Sequence, residues 1–226
     1  MLGRMDDQVK SPRPYDASRR RESAERTRLA ILAAARELFA ENGYAATSVH
    51  GVAARAGVSV DTLYAKVGRK PQLLLAVHDM ALAEGSVPVP AEQRDYVRAV
   101  RETPTAEGKL RSYARAMGRV LPVTVPIMLA LREAGATDPD CAAQHEAIST
   151  RRAANMRLFA AELRQTGELR PDLSDDEVAD LIWSLNSPEW FGLITSRGRS
   201  PEQYAELLAD VLVRTLLEVT PQDLAP

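Results

Sequence analysis

The sequence TSVHGVAARAGVSVDTLYAKVGRK, residues 47–70, decides the fold of the N-terminal part of this chain. Its pattern predicts two short helices, from 49 to about 56 and from 60 to about 67, separated by a tight turn at Gly57. Two short helices joined in this way are typical of a helix-turn-helix motif, which can place its second helix in the major groove of DNA. The candidate N-terminal caps are Thr47 or Ser48 for the first helix and Ser59 for the second.

Amphipathic helices are predicted on both sides of this motif. Between residues 23 and 42, apolar residues recur every three or four positions, and Asn42-Gly43 should end that helix. After the motif, Lys70-Pro71 opens a fourth helix with proline at its first position, and the pattern fades at 85–90. Residues 1–22 lack apolar periodicity and are expected to form a disordered tail.

The rest of the chain also predicts helices and no strand. Pro122 and Pro126 are expected to break or kink one helix, and Asp138-Pro139 should begin a long one. Residues 174–177 and 200–203 both fit a capping box, in which a serine and the residue three positions later satisfy each other's free amides. The predicted fold class is therefore all-α.

Charge is distributed unevenly along the chain. Residues 1–70 hold 13 Lys/Arg and 8 Asp/Glu, whereas residues 71–226 hold 16 and 23. A basic N-terminal third on an acidic body suggests a polyanionic partner at one end. Cys141 is the single cysteine, which suits a reducing compartment, and no signal peptide or membrane-spanning stretch is recognised. We expect a cytoplasmic protein.

Around the motif, the chain resembles the tetracycline-repressor (TetR) family of transcriptional regulators. The resemblance covers roughly residues 28–77 without gaps, and it departs from the family where Lys66-Val67 replace the usual His-Phe. Gly51, inside the second helix, costs about 1 kcal/mol relative to alanine. The matching residues are Ile31-Leu32-Ala33-Ala34-Ala35, Leu38-Phe39, Asn42-Gly43-Tyr44, Thr47-Ser48-Val49, Val52-Ala53, Ala56-Gly57-Val58-Ser59, Thr62-Leu63-Tyr64, Lys70 and Leu73-Leu74.

Candidate DNA contacts follow from the geometry of a recognition helix, whose N-terminal residues meet base edges. Val60 could touch a thymine methyl group, and Asp61 could accept from a cytosine amino group. The resemblance places Thr47, Tyr64 and Lys70 on phosphates. The alternatives are that Thr47 and Ser59 only cap helices, that Asp61 only serves the helix dipole, and that Tyr64 packs in the core. The full candidate set is Thr47, Ser48, Arg55, Ser59, Val60, Asp61, Thr62, Tyr64, Lys66, Arg69 and Lys70.

The C-terminal part offers a candidate pocket for a small molecule. Aromatic and polar residues gather around Pro188, and apolar walls with a few polar groups suit such a pocket. The alternative is that these residues form core and dimer contacts. The candidates are Met117, Met128, Phe159, Trp183, Asn186, Glu189 and Trp190, with Phe191 beside them.

An enzyme is a weaker hypothesis. The three histidines His50, His78 and His145 are far apart, no metal-ligand spacing occurs, and no phosphate loop or nucleophile elbow is present. An interaction protein without a ligand pocket is a third possibility. No catalytic residue, metal or cofactor is therefore expected.

The sequence as a whole predicts a homodimeric regulator. Residues 23–70 should bind DNA, and residues 71–226 should bind a ligand and dimerise. Two C-terminal helices, about 174–195 and 201–218, are expected to pair with a second copy, the last through a stripe of Leu208, Val211, Leu212 and Thr215. The resemblance implies a repressor that a ligand releases from a palindromic operator.

Overall fold

The computed structural model describes residues 17–85 and 87–218, and within them the chain is all-α, as predicted. The sole β-type pairing in these ranges is an isolated bridge between Leu169 and Leu217. A short 3-10 turn, Ala91–Gln93, precedes α5. The helices are α1 Ala17–Ala46, α2 Val49–Arg55, α3 Val60–Lys66, α4 Lys70–Leu82, α5 Asp95–Glu102, α6 Ala106–Ala134, α7 Pro139–Arg164, α8 Asp175–Leu185, α9 Pro188–Thr195 and α10 Pro201–Leu216.

The first helix is longer than predicted at both ends. It begins at Ala17, six residues before the expected start, so residues 17–22 of the predicted tail are helical. Residues 1–16 of that tail lie outside the described residues. The predicted stop is present as a kink, because Gly43 has a φ of 75° that a glycine tolerates best. The sequence therefore located the interruption but not the helical turn beyond it.

The two short helices of the motif lie within one residue of their predicted bounds. Ser48 caps α2 by accepting a hydrogen bond from the Gly51 amide, and Ser59 caps α3 by accepting from Thr62. Both predicted capping boxes are also present, at the starts of α8 and α10.

Two apolar clusters hold the helices together. The first cluster, the motif core, consists of side chains from α1, α2, α3 and α4, together with some from α6 and α7. The second cluster, the body core, consists of side chains from all six helices α5 through α10. Fully buried members of the motif core include Ile31, Leu32, Leu63, Leu73, Leu131 and Ile148, and those of the body core include Leu110, Leu163, Ile182, Tyr204, Leu208 and Leu212.

Helix α6 corrects one prediction. It runs for 29 residues through Pro122 and Pro126 without a break. An interior proline costs about 3 kcal/mol, but α6 packs against α4, α7 and α10, so tertiary contacts outweigh that cost. Its approach to α10 is close, since a Cβ on Gly118 would lie 2.9 Å from the Cβ of Ala205. By length and hydropathy α6 could span a bilayer, but 61% of its most apolar window is buried inside the fold.

The C-terminal stripe is also corrected in part. Leu208 and Leu212 are fully buried in the body core, so they cannot face a second copy. Val211 and Thr215 lie on the neighbouring side of α10 and remain partly exposed. The sequence identified an apolar helix but could not separate its inner side from its outer side.

Candidate DNA-binding surface and ligand cavity

The recognition helix α3 is fixed by one apolar anchor and one cap. Leu63 is fully buried in the motif core. At the N-terminus, the Thr62 amide donates to Ser59 Oγ at 3.1 Å, and the Ser59 and Thr62 hydroxyls lie 2.8 Å apart. With this side held against α1 and α2, the opposite side of α3 is free to meet a partner.

The outer side of α3 presents a compact set of the predicted contacts. Asp61 and Lys66 are exposed, and Tyr64 is 46% exposed despite its large ring. Val60, in the first turn, is partly buried. The side chains nearest the helix N-terminus are therefore small or acidic, and the tyrosine and lysine lie one turn further along.

Thr47 occupies a position that the sequence did not foresee. It is buried, and its hydroxyl group lies 3.0 Å from the Leu38 carbonyl oxygen and 2.8 Å from that of Gly43, to which it donates. A hydroxyl has one proton, so Thr47 cannot also donate to a phosphate in this conformation. The cap of α2 is its exposed neighbour Ser48.

Lys70 begins α4 beside the end of α1. Its Nζ lies 3.4 Å from the Ala45 carbonyl oxygen and 4.1 Å from the centre of the Tyr44 ring. Burial lowers the pKa of Lys70. The Tyr44 hydroxyl in turn lies 3.0 Å from the sulfur of Cys141 on α7. Lys70 is therefore positioned by a chain of contacts that reaches from the motif into the body.

The two arginines in the predicted set of DNA contacts, Arg55 and Arg69, are already paired with carboxylates. Arg55 makes two hydrogen bonds to the Glu41 carboxylate, at 3.0 and 3.1 Å. Arg69 lies 3.2 Å from Asp140 at the start of α7. Both pairs are exposed, so DNA would have to displace or share these carboxylates. The sequence could not show this, because the partners are 14 and 71 positions away.

A cavity of about 190 Å³ lies in the body, enclosed mainly by α4, α5, α6 and α7. Four of the seven residues predicted for a ligand pocket line it: Met117, Met128, Phe159 and Asn186. The other three make different contacts. Trp183 lies beneath Arg152, Glu189 pairs with Arg132 at 2.6 Å, and Trp190 packs on Tyr204 with ring centres 5.3 Å apart.

One wall of the cavity carries a buried network around Arg152. This guanidinium donates to the backbone carbonyls of Trp183 and Asn186, at 3.2 and 3.1 Å, and to the side-chain oxygen of Asn186. The Asn186 amide donates to the Tyr113 hydroxyl, which donates to the Met156 sulfur. Burial lowers the pKa of Arg152 and raises that of Tyr113. All of Arg152's acceptors here are neutral.

A second polar group joins α4 to α7. The Asp79 carboxylate lies 2.6 Å from Arg151 and 3.4 Å from Nδ1 of His78. Burial lowers the pKa of His78, and the hydrogen bond to Asp79 only partly offsets this. Burial raises the pKa of Asp79, but His78 and Arg151 outweigh it and leave the pKa below its usual value.

Sequence reasoning missed the charged lining of the cavity. His78, Arg94, Arg151 and Arg152 contribute to it, and none was predicted. The available signal was Arg151-Arg152 in the middle of a long helix, where two adjacent arginines must point in different directions. Among the described residues, no group of three His, Cys, Asp or Glu side chains could hold a metal ion.

Comparison with known proteins agrees with this geometry. Residues 31–77 match a family model described as bacterial regulatory proteins of the TetR family. No curated protein sequence matches the chain.

Solved structures share the fold over most of the chain. A transcriptional regulator from Saccharomonospora viridis, in complex with choline, is 19% identical, with a TM-score of 0.64 over 88% of this chain and all of its own. A TetR-family regulator from Rhodococcus is 20% identical, with a TM-score of 0.63 over 86% of this chain and all of its own. The regulator FadR from Bacillus subtilis, in complex with stearoyl-CoA, is 19% identical, with a TM-score of 0.63 over 82% of this chain and 97% of its own.

The motif, the all-helical body and the family match define a class of DNA-binding regulator. Residues 31–77 thus match the DNA-binding domain of the TetR family, and the chain as a whole has the fold of solved TetR-family regulators.

Proposed function

We propose that this chain is a cytoplasmic, homodimeric repressor that binds a palindromic operator and leaves it when a small molecule fills the body cavity. Residues 23–70 would contact DNA, and residues 71–226 would bind the ligand and dimerise. The proposal assigns no catalytic residue, metal or cofactor to the chain.

The observation that carries the proposal is the course of α4. This helix begins at Lys70, beside the motif, and His78 and Leu82 in its later turns line the cavity. Thirteen helical residues span about 20 Å. Because α4 is one continuous helix that contacts α1, and α1 contacts the recognition helix α3, a ligand that displaces the cavity end of α4 would also move α3.

The proposed dimer uses the outer sides of α8 and α10. Leu181 and Leu185 on α8, and Leu207 and Val211 on α10, are partly exposed, although each is a good core residue. Pairing these surfaces with a second copy would form a four-helix bundle. Two-fold symmetry in the protein would then match that of a palindromic site.

DNA selection tests the operator. The protein should enrich palindromes from random duplexes, with half-sites about one helical turn or a multiple apart. Affinity should fall steeply with salt, because phosphate contacts release counterions. Failure to enrich any palindrome, or detectable turnover of a small substrate instead, would reject the regulator.

Two variants test the phosphate contacts on the enriched duplex. Lys70→Ala should weaken binding on all sequences and make the salt slope shallower by about one unit, and Tyr64→Phe should weaken binding similarly. Asp61→Ala should instead change sequence preference if Asp61 reads a base. An unchanged salt slope in Lys70→Ala would remove that residue from the interface.

Sedimentation tests the dimer. The chain should sediment at about twice its 24.7 kDa mass at micromolar concentration. Deleting α10 would remove Leu208 and Leu212 from the body core, so the sharper variant is the double change Leu207→Glu, Val211→Glu. It should sediment as a folded monomer, whereas Val123→Glu, on an exposed position of α6, should stay dimeric. A double variant that still dimerises would move the interface elsewhere.

A further inference from the structure

One charged side chain in the cavity, that of Arg94, has no partner among the residues that the structure describes. Arg94 caps α5 with its backbone and is only 6% exposed. Within residues 17–85 and 87–218 its side chain makes no hydrogen bond or ion pair, and its Nε is fully buried without an acceptor. A buried charge without a partner is costly, so a folded protein retains one chiefly where something else is meant to pair with it.

The other arginines of the cavity show that Arg94 is an exception. Arg101 lies 2.8 Å from Glu162, and Arg151 pairs with Asp79. Arg152 donates to three neutral acceptors. Of the two carboxylates that line the cavity, Glu162 is taken by Arg101, and Glu92 is exposed to solvent. The buried part of the cavity therefore carries uncompensated positive charge.

The rest of the cavity lining is mainly apolar. Side chains from α4 to α7 form most of the lining, and the volume of about 190 Å³ exceeds the ~150 Å³ at which an apolar cavity already accommodates benzene. A ligand that fits must place carbon against these walls and a negative charge near Arg94. Apolar side chains of this lining include Val100, Met117, Leu121, Met128 and Phe159.

We infer that the cavity takes an amphipathic organic anion, with its carboxylate or an equivalent group paired to the Arg94 guanidinium and its chain against the apolar walls. The flat fork of an arginine can bind a carboxylate through two parallel hydrogen bonds, which a lysine cannot reproduce. This inference rests on the proposed ligand-responsive function and names the chemistry of the ligand. It also excludes cations such as the choline bound by one structural relative.

Calorimetric titration of the full chain with three probes of equal chain length tests the charge. Sodium octanoate should bind at least about tenfold more tightly than 1-octanol, and octyltrimethylammonium should bind more weakly than either. Equal affinity for octanoate and octanol, tighter binding of the cation, or no octanoate binding at millimolar concentration would each overturn the inference.

A variant pair tests the residue. Arg94→Met should bind octanoate no better than octanol, whereas Arg98→Met, on an exposed position of α5, should bind octanoate as the parent does. Because the substitution removes an unpaired buried charge, ligand-free Arg94→Met should melt at the same temperature as the parent or higher. If Arg94→Met melts lower, Arg94→Lys decides: it keeps the charge and should still prefer octanoate over octanol. Unchanged octanoate affinity in folded Arg94→Met would overturn the assignment.

A DNA-binding measurement separates this inference from the proposed function. Fluorescence anisotropy on the enriched duplex should show release by octanoate in the parent and not in Arg94→Met. If the protein binds no DNA but prefers octanoate through Arg94, the proposed function fails and the inference stands. If octanol releases the duplex as effectively as octanoate, the function stands and the inference fails.

Discussion

The two ends of α4 differ in the pairing of their arginines, because two arginines of the cavity lack the carboxylate partner that Arg55 and Arg69 have. At the DNA-binding end, Arg55 and Arg69 are exposed and paired with carboxylates. At the cavity end, Arg94 is buried and Arg152 is partly buried, and neither has a carboxylate partner within the described part of the chain. The first arrangement costs the fold little and contributes little to its stability. The second leaves a desolvation cost in the ligand-free protein that an anionic ligand can relieve.

Apolar packing, rather than charge, should therefore hold the DNA-binding end together. Replacing the fully buried Leu63 with alanine should lower the free energy of unfolding by about 2–5 kcal/mol, because it leaves a cavity beneath the recognition helix. Urea denaturation followed by circular dichroism measures this change. Val123→Ala, at an exposed position on α6, should change it by less than about 0.5 kcal/mol. A small loss in Leu63→Ala would mean that α3 is held by other contacts.

At the cavity end, the polar network should carry stability. Asn186→Ala removes an acceptor from Arg152 and a donor to Tyr113, both inside the body, and should cost about 1–3 kcal/mol. The same change at Asn155, a partly exposed residue of the same cavity, is the matched control and should cost less than about 0.5 kcal/mol. Equal urea midpoints for Asn186→Ala and Asn155→Ala would show that the polar network around Arg152 does not stabilise the cavity end.

Acidification should destabilise the cavity end through His78. Burial lowers the pKa of His78 in the folded protein, with Asp79 opposing and the charges of Arg151 and Arg94 reinforcing the shift. The unfolded chain takes up this proton near pH 6.5 and the folded chain does not, so stability should fall as the pH drops below about 6.5. One proton gives at most about 1.4 kcal/mol per pH unit. Denaturation curves of parent and His78→Gln between pH 8 and 5 measure the effect.

The His78→Gln variant should lose this part of the pH dependence while keeping the parent's dependence above pH 7. The Asp79 carboxylate, whose pKa is lowered, contributes only at more acidic pH. Parallel curves for the two proteins down to pH 5 would show that His78 gains its proton in the folded state as readily as in the unfolded chain.

The smallest effect should come from the paired arginine of the motif. Arg55→Gln breaks an exposed ion pair with Glu41, and such pairs contribute little to stability in water. We expect its urea midpoint to match that of the parent within replicate scatter, at both low and high salt. A clear, salt-sensitive loss of stability would show that the DNA-binding end also depends on its charges.

The sequence predicts the two ends unequally well, for a physical reason. The caps of the motif are local: Ser48 and Ser59 each accept from an amide three residues later, so spacing alone places them. The buried position of Thr47 was not predictable in this way, because its hydroxyl lies between the Leu38 and Gly43 carbonyl oxygens of the preceding helix.

The cavity is assembled from distant segments. Arg94, Met117, Arg152 and Asn186 come from four separate parts of the chain, and helical periodicity says only which side of a helix is apolar. The prolines of α6 show the same limit, since local propensity predicts a break that packing on three neighbouring helices removes. Contacts between distant segments therefore determine both the lining of the cavity and the continuity of α6 through its prolines.

The shared motif core bears on how this protein could be re-engineered. Leu131 of α6 and Ile148 of α7 belong to the same apolar cluster as Ile31 and Leu63 of the motif. The DNA-reading end is thus not a detachable module. A chimaera that grafts residues 17–82 onto the body of a relative would expose part of this cluster unless the relative supplied side chains of matching shape at those positions, so exchange of specificity is better sought by substitutions on the outer side of α3.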